Sequence, residues 1–284
     1  MLELYNRSWA DQTKFLQTST TPVVLCIDTF LHRSIDKKPG HIYIFIQVEP
    51  ESIYSFQDRI IREHSNYDYI LTFNKKILAA CPNAHKYIYG TTWIANKDWT
   101  SSAKKIFEVT TLVGNKQSTD GHVFRKRLYL EQEKIPMPYR FFKSVRLPPM
   151  LQTIGTLYTF SNTSQEAKVE LFENSQFSIV IENCRMDNYF TEKLCDCLIT
   201  KTIPIYFGCP NIEEYFDTTG WIILTTTSVD TLSSALSTLT PEYYAAHADT
   251  IHTNYETVQK YIDFYENVNK VLKNLPPFLV DGVC

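Results

Sequence analysis

Residues 177–208 read FSIVIENCRMDNYFTEKLCDCLITKTIPIYFG, and no other stretch restricts the fold of this chain as tightly. Residues 177–181 are nearly all apolar, the pattern of a parallel strand covered on both faces. Polarity begins abruptly at Glu182 and Asn183. Thr191 is a good N-cap residue, and Leu194, Cys197 and Leu198 give one apolar face to a helix predicted over 191–200. Residues 202–204 return the chain to a strand over 203–207, and Gly208 ends it. Such a strand–loop–helix–strand unit belongs to a parallel α/β sheet, with its loop and helix N-terminus at the carboxyl edge.

The same alternation runs through the rest of the chain. The first part predicts strands over 23–27 and 42–48. A helix follows over 52–64, with Ile53, Phe56, Ile60 and Ile61 on one face. Next come a strand at 69–73, a helix at 75–80 and a strand at 86–89. Residues 93–102 are polar and irregular and read as a connector. A second series starts with a strand at 106–113, a loop at 114–121, a helix at 122–133 and a strand at 140–143. A helix at 164–174 precedes the segment above, and the tail from 241 to 275 is mainly helical. At 284 residues the chain has the size at which one core tends to split. Two small parallel sheets with crossover helices would leave a cleft between them.

Composition narrows the class of function. Hydrophobic residues make up 44% and charged residues 21%, which argues against disorder. The net charge of −3 supplies no global field for nucleic acid. There are 8 glycines and no GxG, so the dinucleotide fingerprint GxGxxG is missing, as is GxxxxGK[ST]. No apolar run approaches a membrane span, and the N-terminal residues carry no apolar signal core, so neither secretion nor an anchor is predicted and a cytoplasmic location is expected. Cysteines stand at 26, 81, 184, 195, 197, 209 and 284, without zinc spacing, and read as small buried apolar residues of a reducing compartment. The sequons at Asn6 and Asn162 would stay bare in such a compartment.

The loop and helix start at 182–193 suit a phosphate. Free N–H groups and the positive dipole end attract an anion. By the dipole rule Lys193 is slightly misplaced in a first turn, and an anionic ligand would explain it. Glu192 beside it can accept hydrogen bonds from a ribose diol. A solvated Glu–Lys pair on a surface helix fits the same residues.

The pattern ENxxxxxYFTEKLxDxLxxxxxPIYxG resembles the C-terminal signature of family-10 glycosyltransferases, the α1,3/1,4-fucosyltransferases. The resemblance is strong over residues 106–216 and weak before them. It implies a GT-B fold: α/β, with two Rossmann-like domains facing a central cleft. Residues 1–100 would be an acceptor domain and 101–284 a donor-binding domain whose terminal helix can pack back onto the first. It also implies an inverting enzyme that needs no cofactor and no metal; no DxD motif occurs in the chain. The co-substrate would be a nucleotide-sugar donor and the acceptor an oligosaccharide or glycoprotein glycan, with no nucleic acid partner and no membrane span.

Carried over by residue, Glu192 and Lys193 are implied to hold the donor ribose and diphosphate, and Asn183 and Tyr189 to line the donor sugar and phosphate. The stretch VGNKQSTDGHVFRKRLY resembles the family segment with a donor-binding arginine, matched to Arg125, with Arg127 as the fallback. Lys116, His122 and Glu182 are secondary donor-site candidates. The implied base is Glu49, directly after the strand at 42–48, with Glu51 competing. Fucose from GDP-fucose is the first choice only because the family favours it. A UDP-sugar such as UDP-xylose on the same scaffold, and a non-catalytic sugar-nucleotide or glycan-binding protein, are the alternatives.

Overall fold

The computed structural model describes residues 2–5, 10–16, 19–29, 37–94, 104–114, 116–144, 157–160 and 165–278. Both sequons, Cys284 and residues 95–102 of the expected connector lie outside the described residues. The chain divides into two compact units. One comprises Met1–Tyr89, Asp187–Tyr189 and Asp263–Cys284, the other Gly90–Met186 and Phe190–Ile262.

The first unit contains β1 (Leu2–Tyr5), β2 (Val23–Ile27), β3 (Ile42–Ile46), α1 (Gln57–Glu63), β4 (Tyr69–Thr72), α2 (Lys75–Ala80) and β5 (Ala84–Lys86). Its sheet has the order β1-β2-β3-β4-β5, and every pair is parallel. Every residue of β2 is buried, as the unbroken apolar run requires. Val24, Phe45, Ile60, Ile70 and Ile77 belong to one core cluster. The helix expected from 52 begins only at 57. Pro50 O accepts the N–H groups of Ile53 and Tyr54, so the chain turns first, and the Glu51 carboxylate meets Gln57 N at 2.8 Å. The strand expected at 86–89 lies earlier, because β4 ends at Thr72 and offers β5 no partner beyond the Tyr87 N–H.

The second unit contains β6 (Ile106–Val113), α3 (Asp120–Leu130), β7 (Tyr139–Ser144), β8 (Leu157–Phe160), α4 (Gln165–Phe172), β9 (Ser175–Ile181), α5 (Glu192–Ile199), β10 (Ile203–Phe207), β11 (Ile222–Ile223), α6 (Val229–Leu236), α7 (Pro241–Ala246) and α8 (Ala248–Val258). The remaining helix, α9 (Phe264–Leu272), belongs to the first unit, where Phe264 and Tyr265 pack edge-on against Phe15. The sheet of the second unit is also parallel, in the order β11-β10-β9-β6-β7-β8. Its core joins Phe124 and Leu128 of α3 to Phe177, Ile179 and Ile181 of β9 and Leu232 of α6. Among the described cysteines, Cys26, Cys81, Cys195, Cys197 and Cys209 are buried as free thiols, and Cys184 is half-buried. Among the described residues no helix is long and apolar enough to cross a membrane.

Candidate functional site

Counted from β6, the first strand of its unit, the second sheet runs 3-2-1-4-5-6. That is the doubly wound order, and it reverses direction between β6 and β9. Ligands of such sheets bind outside the carboxyl ends of the strands at that point. The segments that leave β6 and β9 there are 114–119 and 182–191, each leading into a helix.

Thr119 caps α3, its Oγ1 accepting the His122 N–H. Gly121 follows, and a Cβ there would stand 1.8 Å from the carbonyl oxygen of Glu182. Only glycine lets the first turn of α3 lie against the loop after β9, where Gly121 N donates to Asn183 O at 3.1 Å. One turn further along, Arg125 is buried. Its guanidinium donates to Ile181 O and, at 3.0 Å, to Asn183 Oδ1. The fork is thus anchored at the end of β9.

Glu182 is fully buried directly after β9. Its carboxylate accepts from Thr191 N at 2.8 Å and Thr191 Oγ1 at 2.7 Å, so it holds the start of α5 from behind. Burial pushes the Glu182 carboxyl above the usual range, against the opposing pull of Lys193. Lys193 Nζ lies 2.9 Å from Glu192 Oε1, 3.1 Å from Thr191 Oγ1 and 3.7 Å from Glu182 Oε2. Burial disfavours the ammonium, but the carboxylates of Glu192 and Glu182 outweigh it and raise its pKa. Lys193 is therefore a held cation rather than a solvated one.

His122 records the charges around it. The ring Nδ1 lies 2.8 Å from Thr119 Oγ1 and 3.3 Å from Ser118 Oγ. Burial, then the positive charges of Arg125, Lys116 and Lys193, lowers its pKa to about 4. Lys116 itself is exposed. Arg127 faces elsewhere, exposed and donating to Thr227 O at 3.2 Å.

In the first unit, Glu49 is half-buried in the turn after β3. Glu51 is engaged at the start of α1, as described above. Tyr189 counts with this unit, where it is 1% exposed and its ring centroid lies 5.3 Å from that of Phe73. Among the described residues no group of three or more His, Cys, Asp or Glu could hold a metal ion.

Residues 139–270 match the family model described as glycosyltransferase family 10 (fucosyltransferase) C-term. Over those residues, somewhat less than half of its length, the chain is similar to that family. A putative fucosyltransferase-like protein of Arabidopsis thaliana is 40% identical over 48 residues, which are 17% of this chain and 9% of that relative. An α1,3-fucosyltransferase crystallised with GDP-fucose is 17% identical with a TM-score of 0.56, covering 99% of this chain and 91% of that one. TarM has a TM-score of 0.60 at 10% identity, over 91% of this chain and 55% of TarM. At such identities the likeness is one of fold, and that fold is GT-B. The family-10 match takes in Glu182, Asn183, Glu192 and Lys193. Lys116, His122 and Arg125 precede it, and Glu49 lies outside it in the first unit.

The sequence pattern singles out neither Gly121 nor Thr119. The scarcity of glycine, one of 8 standing just inside a helix start, was the available signal for Gly121.

The depressed His122 pKa has a consequence for stability. Above its ordinary value of 6.5 both folded and unfolded chains hold it neutral. As pH falls from 6.5 to about 4, only the unfolded chain takes up the proton. Stability is therefore lost through that window, by a quantity on the order of 3 kcal/mol, and the loss levels off below it. Denaturant titrations of wild type and His122→Gln between pH 7.5 and 4.5 check this. The variant should lack this share of the slope, and equal slopes would refute it.

Proposed function

We propose that this chain is an inverting glycosyltransferase that moves a sugar, with fucose from GDP-fucose as the first choice, onto a glycan hydroxyl. The observation that supports this most is that the start of α3, with Arg125 one turn in, is bonded through Gly121 and Arg125 to Asn183 in the loop that leads to α5 and Lys193, at the switch point of a doubly wound sheet. Cations and helix N–H groups in that place suit a diphosphate. On this reading Arg125 and Lys193 hold the diphosphate, Glu192 accepts from the ribose hydroxyls, and Asn183 and Tyr189 line the donor.

The chemistry then asks little of the protein. Glu49 takes the proton of the acceptor hydroxyl as that oxygen attacks the anomeric carbon. The bond from that carbon to the nucleotide oxygen breaks on the opposite face, and the configuration inverts. Negative charge grows on the departing diphosphate, so fixed cations stabilise the transition state more than the ground state. No metal is called for in this reading.

The donor choice leans on the family-10 match and on the likeness to an α1,3-fucosyltransferase crystallised with GDP-fucose. Calorimetry against GDP, UDP, CMP and their sugars, followed by turnover assays with a panel of glycan acceptors, tests it. GDP-fucose should bind and be consumed. Binding of UDP compounds alone would replace the donor by a UDP-sugar, and binding without turnover on any acceptor would make the chain a sugar-nucleotide-binding protein.

A further inference from the structure

We propose that Asp28 is a positioning residue for Glu49, holding the backbone of that glutamate so that its carboxylate projects from the carboxyl edge of the first sheet. The inference rests on the reading of Glu49 as the base.

Asp28 ends β2 with φ 47°, in the left-handed region that L-residues other than glycine, asparagine and aspartate avoid. Strain of this kind, on the order of 1–2 kcal/mol, persists where the surroundings impose it, and it clusters at functional positions. Here the unusual backbone aims the side chain across the strand ends. Asp28 Oδ1 accepts from Val48 N at 2.8 Å, and Oδ2 accepts from Glu49 N at 3.1 Å. Its own N–H donates to Ile46 O at 3.0 Å.

The other side of Glu49 is held as well. Gln47 is fully buried, and its Nε2 donates to Glu49 O at 3.0 Å. Gln47 Oε1 accepts from Thr72 Oγ1 at 2.5 Å, and its backbone oxygen accepts the Tyr87 hydroxyl. Thr72 Oγ1 in turn accepts from Asn74 N at 3.0 Å. Both backbone groups of Glu49 are thus bonded to side chains, and one of these, Gln47, belongs to a buried polar network reaching from β3 to the end of β4. Burying Gln47 and Thr72 costs free energy unless each polar atom is satisfied. A solvated loop carboxylate needs none of this. A base that must meet an acceptor hydroxyl within hydrogen-bond reach does.

Asp28→Gly and Asp28→Asn separate positioning from mere support. Glycine adopts φ 47° without strain, so the fold keeps much of its stability while both carboxylate bonds vanish. Asparagine tolerates the same backbone and keeps one acceptor oxygen. With GDP-fucose and an acceptor found active above, Asp28→Gly should lower kcat by about 10- to 100-fold and leave the donor KM within about twofold. Asp28→Asn should stay within about threefold of wild type. In the Glu49→Gln background, Asp28→Gly should add nothing, because the group it positions is gone.

Wild-type kcat in Asp28→Gly, with Glu49→Gln inactive, overturns the inference and leaves the base reading standing. An Asp28→Asn variant as inactive as Asp28→Gly also overturns it, since the charge itself would then be needed. Wild-type rate in Glu49→Gln removes the base reading instead.

Discussion

Replacing Glu49 by glutamine is expected to lower transfer by about 10²- to 10⁴-fold, while nucleotide affinity stays within a few-fold of wild type. A carboxylate is the kind of group that can take the acceptor proton. Glutamine keeps the size and the backbone bonds of residue 49, and it removes only the ability to take the acceptor proton. The groups read as holding the diphosphate belong to other segments, so their affinity for the nucleotide should not change. Glu51 supplies the control. Its carboxylate accepts from Gln57 N at 2.8 Å, so Glu51→Gln should cost about 1 kcal/mol or less of stability and little activity. Transfer assays beside GDP calorimetry on the two variants decide the matter. A Glu49→Gln enzyme at full rate would end the base assignment, and a dead Glu51→Gln would exchange the two roles.

Lys193→Ala should lose both donor binding and stability, and the two losses should come apart in a double variant. The ammonium lies 2.9 Å from the buried Glu192 carboxylate and 3.7 Å from that of Glu182. Removing one member of such a group leaves charge without compensation, at about 3 kcal/mol. Lys193→Ala combined with Glu182→Gln removes one of the stranded charges. Thermal unfolding should recover much of its midpoint, yet GDP affinity should remain at least about 10²-fold down, because the cation read as binding the diphosphate is still missing. Affinity that returns together with stability would mean that Lys193 serves the fold and not the donor.

How far such a site can be read in advance depends on the reach of the forces that make it. The unit from β9 to β10 is short in sequence, and each signal in it is local. An unbroken apolar run makes a strand with two covered faces, Thr191 caps, and the apolar spacing of Leu194, Cys197 and Leu198 makes α5. The strands at 23–27, 106–113 and 203–207 were equally plain, and so was α2 at 75–80. Edge pieces were not. The sequence shows no sign of β1 or the two-residue β11, because a short strand at a sheet margin carries too few residues to show a period. The start of α1 moved from 52 to 57 because Pro50 O and the Glu51 carboxylate claimed the N–H groups of the preceding turn.

The candidate site divides in the same way. Part of it was legible in the residues, because a lysine in a first helical turn is unusual enough to suggest an anion, whereas Arg125 entered only through the family resemblance. The states of the site residues were not legible. The depressed pKa of His122 comes first from burial and then from Arg125, Lys116 and Lys193, and the raised pKa of Lys193 comes from the carboxylates of Glu192 and Glu182 acting against burial.

The sequence alone determined a parallel α/β chain with a capped helix start near 191, because hydrophobic period, capping and turn chemistry act over a few residues. Tertiary structure alone decided the strand order that puts the switch point between β6 and β9, the edge-on packing of Phe264 and Tyr265 of α9 against Phe15, and the Asp28 contacts to Val48 and Glu49. Those features join residues twenty to more than two hundred positions apart, and such pairings depend on the whole packed core rather than on any local pattern.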